Sequence, residues 1–202
     1  DEFLRRYFDH FAFQSISTEQ FRVWLTDNLL AKQPGLVTDA EIDEWIYQPG
    51  LPKFAVLPQS PAFVAIDGAR SDWLAGKRTV ESLRGKDWTT HEWLHFLNKF
   101  PARTPAVKLT ELDQAFGLTA IGNNEIAHSW LRIAIRNNYE PAYERLANYL
   151  ETIGRRKLIK PLYEDLMKTP AGAARAAAIY AKARGNYHPI AATTLDPIVY
   201  GR

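Results

Sequence analysis

Hydrophobic residues recur at helical spacing along nearly the whole chain. Apolar side chains three or four residues apart fall on one face of a helix, whereas a half-buried strand alternates apolar and polar positions. After Ser60 we find no alternating segment that would predict a strand. The pattern predicts helices over residues 1–13, 17–29, 38–46, 60–74, 89–100, 107–116, 123–134, 141–153, 158–167 and 169–185, and a short one from residue 189.

Local capping signals mark where several of these helices begin. Ser17, Thr38 and Thr89 are each followed three residues later by Gln or Glu. In such a capping box, the two side chains satisfy backbone N–H groups that the first helical turn leaves unpaired. We therefore expect a helix to start directly after each of these three residues.

A proline-rich segment separates two groups of helices. Residues 48–60 contain three prolines and Gly50 and show no helical period, which predicts an extended linker. We therefore predict two units, residues 1–47 and residues 61–202. Short connections in the second unit favour antiparallel neighbours, and stacked helix pairs form a curved superhelix of the solenoid type. The sequence has no exact period, which argues against a strict repeat family.

The composition changes this picture little. The 202 residues carry a formal net charge of only +2, which gives no strong case for nucleic acid or a membrane surface as a partner. No apolar run is long enough to span a bilayer. The absence of cysteine excludes disulfides, thiolate metal sites and cysteine nucleophiles, but it does not distinguish cytosol from periplasm. Because Asp1 opens the chain without methionine or a signal pattern, we expect a fragment of a longer protein.

A cluster of cations at a predicted helix junction is the first candidate site. Gly154 is expected just past one helix in a left-handed conformation, and Pro161 in the first turn of the next. Arg155 and Lys157 then lie beside a helix N-terminus, whose unpaired N–H groups and dipole attract anions. The arrangement predicts a site for a carboxylate or phosphate. The alternative is that these cations are solvated surface charges, as most charged residues are.

The second candidate is a literal zinc-peptidase motif. His91, Glu92 and His95 form H-E-x-x-H on a predicted helix, a pattern in which two histidines bind zinc and the glutamate activates water. A catalytic zinc needs a third protein ligand. Asn98 and Pro101 occupy the glycine and histidine positions of the extended motif. We therefore predict that the motif is a decoy and that this chain binds no metal.

The helical pattern gives the same segment a structural role. Glu92 is already the third residue of a capping box. The apolar residues of this helix should face the core, while its histidines should lie on the opposite, polar side. We expect the buried residues to be Trp93, Leu94, Leu97 and Phe100. The residues expected on the polar side are His91, His95 and Asn98.

Several short segments occur in an order that resembles a known enzyme family. The ordered set is similar to the C-terminal part of leukotriene-A4 hydrolase and aminopeptidase B, which are M1 zinc aminopeptidases. The resemblance spans nearly the whole chain. The segments are residues 11–18 (FAFQSIST), 47–52 (YQPGLP), 121–126 (IGNNEI), 130–132 (WLR), 154–157 (GRRK), 161–163 (PLY) and 187–189 (YHP).

The resemblance implies a fold and a division of the chain. Residues 1–47 would be the helical tail of a thermolysin-like catalytic domain, and residues 48–60 the linker. Residues 61–202 would form the C-terminal helical domain, an all-α, armadillo/HEAT-like right-handed superhelix of antiparallel helix pairs. The family's zinc ligands lie upstream, so the resemblance implies zinc in the full-length enzyme, no metal in this chain, and no catalysis by this chain alone.

The resemblance also implies a role for the cationic junction. In the family, an arginine that follows a glycine binds the free carboxylate of the peptide substrate, and a lysine two residues later assists. The matching positions are Arg155 and Lys157, while Arg156 between them receives no role. The implied partners are a peptide carboxylate and the upstream catalytic domain of the same chain, with no nucleic acid and no membrane span.

Two other functions remain open from the sequence. In one, the basic junction belongs to a helical interaction module that binds acidic peptides or proteins. In the other, the chain is a stand-alone zincin that uses His91, Glu92 and His95. Epoxide hydrolase activity rests on family analogy alone.

Overall fold

The computed structural model describes residues 1–201, and α-helices dominate it. No strand occurs within these residues, which confirms the all-α prediction. None of the helices in the described range is both long and apolar enough to cross a bilayer. In chain order, the helices are α1 (Glu2–His10), α2 (Thr18–Asn28), α3 (Asp39–Tyr47), α4 (Pro61–Leu74), α5 (Thr90–Asn98), α6 (Ala106–Phe116), α7 (Asn124–Arg136), α8 (Tyr143–Thr152), α9 (Arg156–Leu166), α10 (Pro170–Ala183) and α11 (Pro189–Tyr200).

The chain divides into two compact units. The first is Asp1–Pro58, which contains α1 to α3, and the second begins at Gln59 and contains α4 to α11. The division falls inside the proline-rich segment at residues 48–60. The assignment of the first 47 residues to the tail of a catalytic domain stays a prediction.

Capping boxes begin three of the helices, as predicted. Both reciprocal hydrogen bonds are present at Ser17, Thr38 and Thr89, which precede α2, α3 and α5. At Thr89, the backbone N–H donates to the carboxylate of Glu92 at 2.7 Å, and the Glu92 N–H donates to the threonine hydroxyl at 3.3 Å. These starts are set by residues three apart, so local sequence is enough to predict them.

The first unit lacks a core of its own. Ile42 is the one buried residue of α1 to α3. Aromatic side chains pack on one another, as in the stacking of His10 on Trp24 at 4.4 Å between ring centroids. Phe8 and Phe13 nevertheless remain exposed. So small a buried set contributes little stability, because apolar burial is the main term that favours folding.

The second unit stacks its helices in two rows. In one row α5 packs against α7, α7 against α9, and α9 against α11. In the other row α8 packs against α10, which also contacts α9 and α11. Helices two apart in sequence are therefore neighbours in space, as expected for stacked helix pairs. This stacking places α7 between α5 and α9, where the candidate site lies.

Several buried aromatic side chains in this unit have hydrogen-bonded polar atoms. Trp130 is fully buried, and its indole Nε1 donates to Thr119 Oγ1 at 3.0 Å. The Tyr149 hydroxyl donates to the backbone carbonyl of Asn124 at 2.9 Å, and burial raises the pKa of Tyr149 to about 12. Such bonds offset the cost of burying polar groups. The Tyr149 bond also fixes α8 against the first residue of α7.

The junction between α8 and α9 differs from prediction at Gly154. Helix α8 ends at Thr152, and Ile153 follows in an extended conformation with φ −97° and ψ 114°. Gly154 does not have a positive φ, so the predicted left-handed conformation is wrong. A Cβ atom at this position would meet no other atom within 4 Å. The chain leaves α8 through an extended turn, which does not require glycine.

Pro161 lies inside α9 and not in its first turn, so that prediction is also wrong. The helix begins at Arg156, because the carbonyl of Arg155 accepts from the N–H groups of Leu158 (2.9 Å) and Ile159 (3.2 Å). A proline inside a helix costs about 3 kcal/mol. Leu158 and Ile159 are buried in the core, and each such burial contributes about 1.5–3 kcal/mol. Tertiary packing therefore extends the helix before the proline.

Candidate functional site

Arg155 and Lys157 converge on one carboxylate. Arg155 is the N-cap residue of α9, and Lys157 lies in its first turn. Lys157 Nζ donates to both carboxylate oxygens of Glu125, at 3.1 and 3.0 Å, and Arg155 Nη1 donates to one of them at 3.4 Å. The structure thus joins the two predicted cations around an acidic residue of α7 that sequence reasoning did not assign to the site.

Both cations remain accessible to a ligand. The side chains of Arg155 and Lys157 are 65% and 63% exposed. Arg155 lines a shallow depression of about 560 Å³, and Lys157 lines a groove that shares Glu125 with it. Exposed ion pairs are worth up to about 1 kcal/mol, so a second carboxylate can compete with Glu125 for these cations.

The start of α9 concentrates positive charge and has no side-chain cap. Arg155 makes no capping hydrogen bond, and the first turn contains no acidic residue. Cations at a helix N-terminus oppose the helix dipole and typically cost about 0.3–1 kcal/mol each. By contrast, Asn123 caps α7 by accepting from the N–H groups of Glu125 and Ile126 at 3.0 and 3.3 Å. The uncapped, cationic end of α9 is the one suited to an anion.

A groove of about 380 Å³ runs between α5, α7 and the start of α9. Its volume lies within the usual range for small-molecule sites. The apolar lining comes from α5, from the segment just after it that contains Phe100 and Pro101, and from Ile133 of α7, while most of the polar lining comes from α7. The charged and titratable residues that line it are Glu125, His128, Arg132, Arg136 and Lys157.

His128 contributes a neutral imidazole to the groove. Its Nδ1 lies 2.7 Å from the backbone carbonyl of Leu158. A carbonyl only accepts, so Nδ1 carries the proton and Nε2 is the acceptor in the neutral ring. Burial lowers the pKa of His128, and the nearby Arg132 also lowers it. The ring is therefore expected to stay neutral at pH 7.

A buried carboxylate organises the far side of the groove. Asp165 of α9 is only 1% exposed, and it accepts from Arg132 Nε at 2.8 Å and Arg136 Nε at 3.1 Å. Lys168 Nζ contacts its other oxygen at 2.5 Å. Burial raises the pKa of Asp165, but hydrogen bonds from Lys168 and Arg132 outweigh that effect and lower it. The cluster thus holds two arginines of α7 that line the groove.

Sequence reasoning missed this cluster, although one signal was present. Arg132 and Arg136 are four residues apart, so they share one face of α7. Their common partner lies 33 and 29 residues further along the chain, beyond any local pattern. The spacing could have indicated a cationic stripe, but not the carboxylate that orients it.

Comparison with known proteins identifies the helical unit. Residues 88–199, more than half of the chain, match the family model described as leukotriene A4 hydrolase, C-terminal. The chain belongs to this family. The matched segment of this leukotriene A4 hydrolase C-terminal domain contains every residue that lines the groove.

The similar proteins are aminopeptidases that are much longer than this chain. Leucine aminopeptidase 2 of Aspergillus terreus is 27% identical over 209 residues, a match that covers all of this chain and 34% of the relative. Aminopeptidase B of Mus musculus is 24% identical over 178 residues, covering 83% of this chain and 27% of the relative. The chain thus spans about a third of the length of these relatives.

A solved structure shares the fold. The structure of yeast LTA4 hydrolase in complex with bestatin aligns with a TM-score of 0.75 at 22% identity, covering 98% of this chain and 35% of that chain. The likeness agrees with the all-helical architecture.

Within this leukotriene A4 hydrolase C-terminal domain, Glu92 of the H-E-x-x-H segment is a capping residue. Its carboxylate accepts from both the backbone N–H and the hydroxyl of Thr89, each at 2.7 Å. Hydrogen bonds from the Thr89 hydroxyl and N–H lower the pKa of Glu92. Both contacts go to the same carboxylate oxygen, Oε2, and they hold the Glu92 side chain at the start of α5. Across residues 1–201, no group of three or more His, Cys, Asp or Glu side chains is placed to hold a metal ion.

The position of His95 corrects the predicted polar face of α5. His91 and Asn98 are exposed, as expected, but the His95 side chain is only 15% exposed. Its ring stacks on Phe63 of α4 at 4.2 Å between centroids, and its Nε2 lies 3.0 Å from Asp67. The helical wheel of α5 alone cannot show that α4 covers this side. Of the residues expected in the core, Trp93 and Leu97 are buried, while Leu94 and Phe100 are half-buried. Phe96, which was not expected in the core, is fully buried.

Proposed function

We propose that this chain is the C-terminal helical domain of a zinc aminopeptidase and that it anchors the free C-terminal carboxylate of a peptide substrate. Arg155 and Lys157 would bind the carboxylate. The observation that carries the proposal is that both cations already hold one carboxylate, that of Glu125, at 3.0–3.4 Å. Family membership and the names of the similar aminopeptidases support the enzyme class.

The proposed chemistry of the anchor is positioning. An arginine can grip a carboxylate through two parallel hydrogen bonds, which a lysine cannot copy. A substrate carboxylate would replace Glu125 as the partner of Arg155, whose contact with Glu125 is long at 3.4 Å. It would share Lys157 with Glu125. Holding the peptide at its C-terminus places its other end at a fixed distance in the cleft, which lowers the entropic part of the barrier.

Zinc belongs to the proposed upstream domain and not to this chain. In a zinc peptidase the metal polarises the scissile carbonyl and activates water. His91, Glu92 and His95 do not fit a catalytic zinc, because Glu92 caps α5 and His95 pairs with Asp67. This chain is therefore proposed to be inactive alone and to wall the active-site cleft of the complete enzyme.

The first unit supports the proposal of an upstream partner domain in the same protein. Its three helices bury one residue between them, and several large apolar side chains are exposed. Exposed apolar surface of this kind marks a site of contact with other protein. The exposed large apolar residues of α1 to α3 are Leu4, Phe8, Val23, Trp45 and Tyr47.

The anchor is tested with Arg155→Ala in the full-length enzyme that contains this chain. A lost charge-assisted contact should lower kcat/KM for tripeptides with a free C-terminus by roughly 30-fold to 100-fold. The same peptides with a C-terminal amide should be poor substrates of both enzymes, with little difference between the two. Steady-state kinetics on the paired acid and amide peptides measure this.

Arg156→Ala is the matched control. Arg156 is a neighbouring cation that contacts Thr194 and not Glu125, so its loss removes the same charge without touching the anchor. Equal effects of the two substitutions would mean that only overall charge matters. An unchanged kcat/KM in Arg155→Ala would refute the anchor.

The runner-up function is an interaction module that binds acidic segments of other proteins. It is favoured by the exposure of the cations at the start of α9. The reading frame that encodes this chain distinguishes the peptidase domain from the interaction module. A zinc-site sequence upstream in the same reading frame supports the peptidase, and its absence supports the interaction module.

A further inference from the structure

Positive charge is concentrated around the groove far more than in the chain as a whole. Glu125 faces two cations, and Asp165 faces three. Of these residues, Arg132, Arg136, Lys157 and Glu125 line the groove itself, so its lining carries three cations and one carboxylate, whereas the net charge of all 202 residues is only +2. His128 adds no charge, because burial lowers its pKa. A groove with an excess of positive charge attracts anionic ligands.

Arg132 and Arg136 have hydrogen-bond donors that Asp165 does not use. Arg132 donates to Asp165 through Nε, which leaves the two terminal nitrogens of its guanidinium free for a ligand. Arg136 uses Nε and Nη2 on the same carboxylate. Their side chains are 33% and 40% exposed, and both line the groove. The buried carboxylate fixes them in place, so a ligand would not have to order them.

The spacing along α7 separates this pair from the proposed anchor. Arg132 lies seven positions after Glu125 on α7, which corresponds to about 10 Å along the helix axis at 1.5 Å per residue. An extended peptide advances about 3.3 Å per residue. A side-chain carboxylate one or two residues before the C-terminal residue would therefore reach the arginines while the C-terminal carboxylate lies at Arg155 and Lys157.

We propose that Arg132 and Arg136 form a second anion subsite that binds an acidic side chain near the C-terminus of the peptide. This inference rests on the proposed function and names its substrate class, which is short peptides with Glu or Asp one or two positions before the last residue. Asp165 is a positioning residue, because it orients both arginines without facing the peptide itself.

The test compares isosteric peptides on the full-length enzyme that contains this chain. Ala-Glu-Ala-Ala and Ala-Ala-Glu-Ala are each paired with the same peptide carrying Gln in place of Glu. At low salt, kcat/KM for at least one Glu peptide should exceed that of its Gln partner about tenfold, mainly through KM, because a charge-assisted pair forms. Raising the ionic strength should reduce the ratio. A ratio of one or less for both pairs overturns the proposal.

Substitutions of Arg132 and Arg136 test whether a preference for the Glu peptides arises at these two residues. Arg136→Gln should bring the Glu/Gln ratio close to one, and Arg132→Lys, which keeps a charge for Asp165, should reduce it. Lys182→Gln is the matched loss of charge, since Lys182 is 75% exposed and pairs weakly with Glu151 at 3.9 Å, away from the groove. A ratio that survives in Arg136→Gln and Arg132→Lys, both shown to be folded by circular dichroism, overturns the assignment. If a variant does not fold, the comparison of Glu and Gln peptides on the unmodified enzyme tests the proposal by itself.

Different experimental results would contradict the proposed second subsite and the proposed anchor. Arg155→Ala should lower kcat/KM for the Glu and Gln peptides equally and leave their ratio unchanged. If Arg155→Ala has no effect while the Glu preference persists, the proposed anchor is wrong and the second subsite stands. If Arg155→Ala lowers activity but no Glu preference exists, the anchor stands and the subsite is wrong.

Discussion

At the scale of the residue, Glu125 decides how the proposed anchor is held before a ligand arrives. Its carboxylate receives both Lys157 and Arg155, and its position in the first turn of α7 also suits that helix dipole. The junction next to these cations is less constrained than its sequence indicated, because Gly154 has an ordinary backbone conformation.

We expect Gly154→Ala to leave stability unchanged or to raise it by about 0.5 kcal/mol. A Cβ there meets no atom within 4 Å, and alanine reduces the freedom of the unfolded chain. Gly85→Ala is the contrasting substitution, because its Cβ would lie 2.7 Å from the Trp93 ring and 2.9 Å from Phe116. Overpacking of this kind costs about 1–3 kcal/mol. Urea unfolding of both variants measures the difference, and a marked loss in Gly154→Ala would contradict our description of the junction.

At the scale of the element, the buried ion cluster joins α7 to α9. Asp165 of α9 holds two arginines of α7, and the same pair of helices carries Glu125, His128 and Lys157. Leaving buried charges without a partner is costly, so the cluster specifies how the two helices are aligned. The alignment in turn sets the distance between the proposed anchor and the proposed second subsite.

We expect Asp165→Asn to lower the free energy of unfolding at pH 7 by about 2 kcal/mol. Breaking a fully buried ion pair lowers the free energy of unfolding by more than this, but Arg132 and Arg136 are partly exposed to solvent. The pKa of Asp165 is lowered from 3.8 in the folded protein, so its contribution is complete above that pH and is lost as the pH falls further. The difference in the free energy of unfolding between the unmodified protein and Asp165→Asn should therefore become smaller below pH 3.8.

Glu164→Gln is the matched control for that measurement. Glu164 is the neighbouring acid on α9, it is 44% exposed, and among residues 1–201 its one ion pair is with Lys160, one turn earlier. Its loss should cost no more than about 0.5 kcal/mol. Urea unfolding at several pH values would contradict the role of Asp165 if the gap stayed constant from pH 7 to the acid range.

At the scale of the whole molecule, the two units differ in how much they can stabilise themselves. The second unit contains a continuous core from Ile66 to Val199. The first unit buries Ile42 and leaves many apolar side chains exposed. A unit of this size with so small a core is not expected to be stable alone.

We expect residues 59–202, expressed alone, to be helical and to unfold cooperatively. Residues 1–58 alone should show weak helical signal and no cooperative transition, because little apolar surface is buried. Far-UV circular dichroism with thermal melting of both fragments tests this. A sharp transition in the short fragment would show that the first unit is an independent domain and would weaken its proposed docking to an upstream domain.

The fold was predictable where it depends on residues close together in sequence. The capping boxes at Ser17, Thr38 and Thr89 and the helical spacing of apolar residues each act over three or four positions. The two cations Arg155 and Lys157 were likewise readable as a pair at a helix start. Their proposed role as a carboxylate anchor stays a prediction.

What only the tertiary structure decided involves partners that are distant in the chain. Lys157 meets Glu125 across 32 residues, and Arg132 meets Asp165 across 33. The sequence by itself determined an all-helical chain and the helix starts after Ser17, Thr38 and Thr89, since their side chains satisfy backbone N–H groups three residues away. The groove, the burial of His95 and the helix that continues through Pro161 arise from packing between helices, whose energy outweighs local preference and leaves no periodic trace in the sequence.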